Sequence, residues 1–143
     1  MSNPPALSGQ AIGEAAKATN AVLERLLAEV RTTFLSWVTL NVLATAGPVL
    51  PKDALVQRMT SGLKVTAEPV LATLDELADG GLVARSDDGV EITAAGSALH
   101  ARIRAGIDGI TQRLYGDLPQ DDLATTGRTL AAVTRRANAV LAG

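Results

Sequence analysis

Apolar residues recur at spacings of three and four along most of this chain, and that spacing divides it into helices. Over 9–31, Ile12, Ala15, Ala16, Thr19, Val22, Leu23, Leu26, Leu27 and Val30 line one side. Glu14, Lys17, Glu24, Arg25, Glu29 and Arg31 fall mostly on the other, which is the pattern of an amphipathic helix. Residues 33–46 are apolar almost all round, and this predicts a central buried helix stopped by Gly47-Pro48. The twenty residues between Arg31 and Lys52 carry no charge, which is the length of a membrane span. Ser36, Asn41, four threonines, the Gly47-Pro48 break and Pro51 make a buried helix the better reading.

A shorter helix is expected over 51–59, with Pro51 at its first position and Ala54, Leu55 and Met59 on one side. Thr60-Ser61-Gly62 reads as a turn. The next helix runs from about Thr66, a candidate N-cap, to Asp79, with Glu68 at its positive end and Pro69 in the first turn. Val70, Leu71, Leu74, Leu77 and Ala78 form its apolar stripe, and Gly80-Gly81 ends it. Leu82–Arg85 and Val90–Thr93 read as short strands, with Asp88-Gly89 as the hairpin signal between them.

Thr93 is a candidate cap for a helix over 96–116 that carries Leu99, Ile103, Ile107, Ile110 and Leu114. Gly106 and Gly109 weaken it by up to ~1 kcal/mol each relative to alanine, and they suit a close crossing with another helix. After Gly116-Asp117-Leu118-Pro119, a last helix shows Leu123, Leu130, Val133, Ala137, Val140 and Leu141. There is no internal repeat.

Composition narrows the function classes. A chain of 143 residues suits one domain with a proper core. It has no cysteine and one histidine, His100. That excludes disulfides, thiolate nucleophiles and cysteine-ligated metals, and it leaves any histidine-based site to be built around His100. No constellation of catalytic groups is visible, so neither an enzyme nor a metal or cofactor site is expected. Asp87-Asp88 are turn formers before they are a catalytic pair. Ser8-Gly9 and Ser61-Gly62 lack the preceding strand of a nucleophile elbow. The start, Met-Ser-Asn-Pro-Pro-Ala-Leu-Ser, has neither the basic nor the apolar region of a secretory signal. It reads as a short mobile tail on a cytoplasmic protein.

The order of elements, four helices, a hairpin and two helices, contains a winged helix-turn-helix. The expected fold is therefore mostly α: a winged helix-turn-helix lobe over 33–93 with a two-stranded wing, flanked by long N- and C-terminal helices within one domain, 1–143. The flanking helices, 9–31, 97–115 and 119–142, exceed what that lobe needs to cover it. Each has an apolar stripe to bury, which favours an isologous homodimer over a monomeric bundle.

Positions 70–99, VLATLDELADGGLVARSDDGVEITAAGSAL, resemble the core of MarR-type winged-helix transcription regulators. Leu74, Asp75, Leu77, Gly81, Leu82, Val83 and Arg85 match the phrase that ends the recognition helix and enters the wing. Ile92, Thr93 and Gly96 match the phrase that opens the next helix. PKDALVQRM resembles the helix before the recognition helix, and LPQDDLATTGRTLAAVTRRANAVLA resembles a C-terminal dimerisation helix. The resemblance runs from about residue 10 to the end. It implies a homodimer, with dimerisation helices 9–31 and 97–142, that sets two recognition helices into successive major grooves of a pseudo-palindromic operator and acts as a repressor. A small effector bound where the dimerisation and DNA-binding lobes meet would release the DNA. Without cysteine, thiol-oxidation sensing is excluded.

On this reading Lys64, Thr66, Ala67 and Glu68 face bases or adjacent phosphates, while Arg58, Ser61 and Arg85 hold the DNA backbone. Glu68 can accept from cytosine N4, or serve only as a helix-end charge. Trp37 and His100 are candidates for the effector pocket; core packing for Trp37 and a surface position for His100 are the plainer readings. The family wing usually carries an Asp-x-Arg element in a longer loop. Here the loop is Ser86-Asp87-Asp88-Gly89, short and acidic. Residues 51–93 hold four cations, Lys52, Arg58, Lys64 and Arg85, against eight carboxylates, a net −4 within a chain of net −2. Residues 94–143 are +2. Phosphate neutralisation supplies most sequence-independent DNA affinity. The charge therefore keeps a second reading open: a winged-helix dimer that acts through protein partners, as an antirepressor or scaffold.

Overall fold

A computed structural model describes residues 6–143; the tail expected around Pro4-Pro5 lies outside the described residues. The chain divides into two compact units, one ending at Asp108 and one covering Gly109–Gly143. The first contains helices α1 (Gly9–Glu29), α2 (Phe34–Thr45), α3 (Lys52–Leu63) and α4 (Ala67–Asp79), strands β1 (Val83–Ser86) and β2 (Gly89–Ile92), and most of α5 (Ala94–Tyr115). The second contains the end of α5 and all of α6 (Gln120–Ala142).

The uncharged helix α2 owes its all-round apolarity to two cores. On one side Leu40 and Leu43 join Leu55 and Met59 of α3, Val70, Leu74 and Leu77 of α4, and Val83 and Val90 of the strands. On the other, Trp37 packs with Leu27 of α1 and Ile103 of α5. The buried Thr39 hydroxyl is satisfied by donating to its own helix, to Leu35 O at 2.7 Å. Among the described residues no helix is long and apolar enough to cross a membrane.

Hydroxyl side chains start three of the helices. Ser8 accepts from Ala11 N, Thr33 from Ser36 N and Thr93 from Gly96 N, each on the first turn of its helix. α4 ends with Gly81 in a left-handed conformation (φ 75°), with Leu82 N bonded to Leu77 O and Gly81 N to Ala78 O. This paired pattern satisfies the last carbonyls of the helix and turns the chain into β1. α1 ends the same way, with Arg31 (φ 57°) in the glycine position.

Three local expectations are corrected. α3 does not stop at Thr60-Ser61-Gly62; it continues through them and turns at Lys64, whose φ of 58° and ψ of 42° are left-handed. Ser61 and Gly62 add a last helical turn despite their modest propensity, because Leu63 and Val65 still pack on the core. Pro51 is the N-cap of α3 and not its first residue. The hairpin loop is Asp87-Asp88, and Gly89 is the first residue of β2, paired with Ser86. Gly89 is required there for a long-range reason. Leu50 forms an isolated antiparallel bridge with Val90, and a Cβ on Gly89 would lie 2.3 Å from the Leu50 carbonyl oxygen. The bridge adds a third chain segment to the wing, and no alternation in the sequence announced it.

Candidate nucleic-acid interface

α3, the Lys64–Thr66 turn, α4 and the hairpin build a helix-turn-helix with a wing. α4 is held by its inward stripe, with Val70 fully buried and Leu74 and Leu77 nearly so. The opposite face is exposed: Ala67, Glu68, Pro69, Ala72, Asp75, Glu76 and Asp79 all face solvent. At helical spacing, Glu68, Ala72, Asp75 and Asp79 form the outermost row. Three of those four are carboxylates.

The residues singled out for DNA contact lie along this end of the lobe, but not all as free groups. Arg58 and Ser61 are exposed on the second half of α3. Lys64 folds back, its ammonium donating to Ser61 O at 2.7 Å. It thereby holds one of the carbonyls left free at the C-terminus of α3, where a cation is favourable. Arg85, on β1, is ion-paired with Asp75 on α4, so the wing is tied to α4 by a pair whose side chains remain 41 % and 66 % exposed. Thr66 occupies the N-cap of α4 with extended backbone, as its position suggested, yet its side chain makes no capping bond, unlike Ser8, Thr33 and Thr93. The first amides of α4 and the Thr66 hydroxyl are thus uncommitted, alongside exposed Ala67 and Glu68.

Trp37 and His100 do come together. Their rings stack at 5.1 Å between centroids and 19° between planes. His100 Nε2 lies 3.0 Å from Asn41 Oδ1, a hydrogen bond that the Nε2–H tautomer donates. The contact joins α2, which also carries the lobe's core, to α5. Burial, and secondarily the charge of Arg104, hold the His100 pKa below its ordinary 6.5. Trp37 is nearly buried and His100 only partly, so the plainer reading of Trp37 as core holds, while His100 is more engaged than a surface residue. Asn41, the third member, was not singled out beforehand; a lone amide in an uncharged helix was the available signal. A cavity of about 230 Å³ is lined by Glu24, Leu27, Thr32, Thr33 and Phe34, and by none of these three residues. It shares Leu27 with the core around Trp37. Among the described residues, no group of three or more potential metal ligands converges.

The arrangement is one that solved structures share. CouR from Rhodococcus jostii RHA1, bound to p-coumaroyl-CoA, superposes with a TM-score of 0.77 at 16 % identity, over 87 % of this chain and 90 % of that one. The reduced form of MarR from E. coli matches with a TM-score of 0.70 at 24 % identity, over 92 % and 96 %. The Mycobacterium tuberculosis MarR family protein Rv2887, in complex with DNA, matches with a TM-score of 0.72 at 22 % identity, over 90 % and 98 %. No protein-family model and no curated protein matches the chain. At these identities the likeness establishes the fold: a MarR-type winged helix-turn-helix, spanning nearly the whole of each neighbour.

Proposed function

We propose that this chain is a homodimeric, ligand-responsive regulator of transcription that binds a pseudo-palindromic operator as a repressor, and not an enzyme. The observation that carries the reading is the exposed outer face of α4, presented by a buried inner stripe and flanked by a wing, in a fold shared with a protein solved on DNA. In a helix-turn-helix the second helix enters the major groove while the first crosses the backbone. Residues 33–93 then form the DNA-binding lobe. On this reading Thr66, Ala67 and Glu68 meet bases or the nearest phosphates, and Arg58, Ser61, Lys64 and Arg85 lie against the DNA backbone.

The helices 9–31 and 97–142 are assigned to the dimer. α6 has no buried residue, and Leu130, Val133, Val140 and Leu141 are exposed along it; an apolar row of this size asks for a second copy. A small effector is assigned to the neighbourhood of Trp37 and His100. Because their contact ties the lobe to α5, a molecule that displaced it would act on recognition-helix spacing.

Lys64→Ala tests the interface. Against the protein's own upstream DNA, the variant should bind more weakly and lose about one from the slope of log affinity against log salt. Unchanged affinity and slope would remove Lys64 from the interface. One observation favours a second reading: the outer row of α4 is acidic and Arg85 is engaged by Asp75. A dimer with that face suits a basic protein partner. It would leave DNA mobility unchanged at micromolar concentration while retaining a co-purifying protein.

A further inference from the structure

A recognition helix usually reads guanine with arginine or lysine and adenine with asparagine or glutamine, because only those side chains match two adjacent atoms on the base edge. The exposed face of α4 carries none of the four. Its first two turns present Ala67, Glu68, Pro69 and Ala72, all exposed. The nearest cations are turned to their own chain: Lys64 to the Ser61 carbonyl and Arg85 to Asp75. Apart from the Thr66 hydroxyl at the N-cap, the exposed donors Gln57, Arg58 and Ser61 lie on α3, the helix that crosses the backbone. What the first two turns of α4 can offer a base edge is the Glu68 carboxylate and a set of methyl and methylene groups, beside the Thr66 hydroxyl, which can bond to any base and selects none.

The major groove offers a carboxylate two exocyclic amines, cytosine N4 and adenine N6, but adenine sets its N7 acceptor beside the amine and repels the carboxylate, so two features answer that chemistry best. A carboxylate accepts from the exocyclic amine of cytosine, and an alanine methyl packs on the C5-methyl of thymine. Glu68 is free to do the first, being exposed and in neither of the ion pairs found among the described residues. Ala72 lies one turn further along the same outer row.

We propose that α4 reads pyrimidines: Glu68 specifies a cytosine through its N4 amine, and Ala72, with Ala67, specifies neighbouring thymines through their methyl groups. The inference rests on the DNA-binding reading above and deepens it by naming the bases.

In vitro selection from a random DNA library, with the full-length protein at low salt, tests it. Wild-type protein should enrich sites with a cytosine flanked by thymine in each half-site. Glu68→Gln should move that position from cytosine toward adenine, and Glu68→Ala should erase the preference there, with a loss of about 5- to 100-fold on the selected site. Replacing the selected thymines by deoxyuridine, which removes only the methyl, should weaken wild-type binding at those positions. Circular dichroism of both variants separates loss of contact from loss of fold. Should the loss coincide with unfolding, the deoxyuridine and cytosine substitutions on wild-type protein decide alone. Enriched sites whose preference survives both Glu68 variants and the loss of the thymine methyls would overturn this inference and leave DNA binding standing. If no sequence is enriched at all, the DNA-binding reading itself falls.

Discussion

Gly96 shows how a short phrase in the sequence becomes a joint in the structure. Thr93 caps α5 at Gly96 N and also donates to Gly81 O at 2.7 Å, tying the end of α4 to the start of α5. The helix can begin that close to the wing only because residue 96 has no side chain. A Cβ there would sit 2.1 Å from Leu82 O and 2.8 Å from Ile92 Cγ1. Gly96→Ala should therefore destabilise the fold by about 1–3 kcal/mol, as overpacked cores do, measured by urea unfolding; a change within error would show the joint to be slack. His100 makes a second prediction at this scale. Its folded pKa is lowered, so the unfolded chain takes up the proton first as pH falls. The neutral ring's contribution is complete above pH 6.5 and is lost as pH drops from there through the folded pKa. Thermal unfolding of wild type should weaken more steeply between pH 7.5 and 5.5 than that of His100→Phe, which keeps a stacked ring but cannot titrate. Parallel pH profiles would contradict this.

Among the elements, the helices were legible because each carries an apolar stripe at helical spacing, and the hairpin because Asp88-Gly89 separates two short strand-like runs. The end of α3 was not. Ser61-Gly62 is turn chemistry locally, but packing of Leu63 and Val65 carries the helix on to Lys64. The Leu50 bridge escaped for a related reason: one residue pairing across forty positions leaves no periodic trace, and only Gly89 hints at it. The candidate interface was readable as a set of positions but not as a set of free groups. Nothing in the spacing of residues 75 and 85 says that the arginine of the wing is tied to the aspartate of α4. That tie yields a prediction. Asp75→Ala should release Arg85, raise affinity for DNA of any sequence at low salt, and steepen the salt slope by about one. Its effect on stability should stay within about 1 kcal/mol, since the pair is exposed. A variant with unaltered salt dependence would show that Arg85 does not reach phosphate.

For the whole molecule, two features decide what it can do. The first is association. α6 leaves Leu130 and Val133 each 38 % exposed and Val140 78 % exposed, which a second copy would cover. Light scattering should find twice the 14.7 kDa chain mass, and Leu130→Glu with Val133→Glu should reduce it to one chain; a wild-type monomer would remove the two-site geometry of the operator. The second is charge. The −4 of residues 51–93 within a chain of −2 opposes DNA binding, and the structure uses Lys64 and Arg85 inside the lobe as well. Sequence-independent attraction should accordingly be weak, and affinity should rest on α4. The most direct test is the ratio of affinities for the protein's own upstream DNA and for a scrambled sequence of equal length, measured at low salt on the purified protein. A preference of about a thousandfold or more, the lower bound for specific regulators, is the expected result. Equal affinity for both, or no binding to either, would contradict the account.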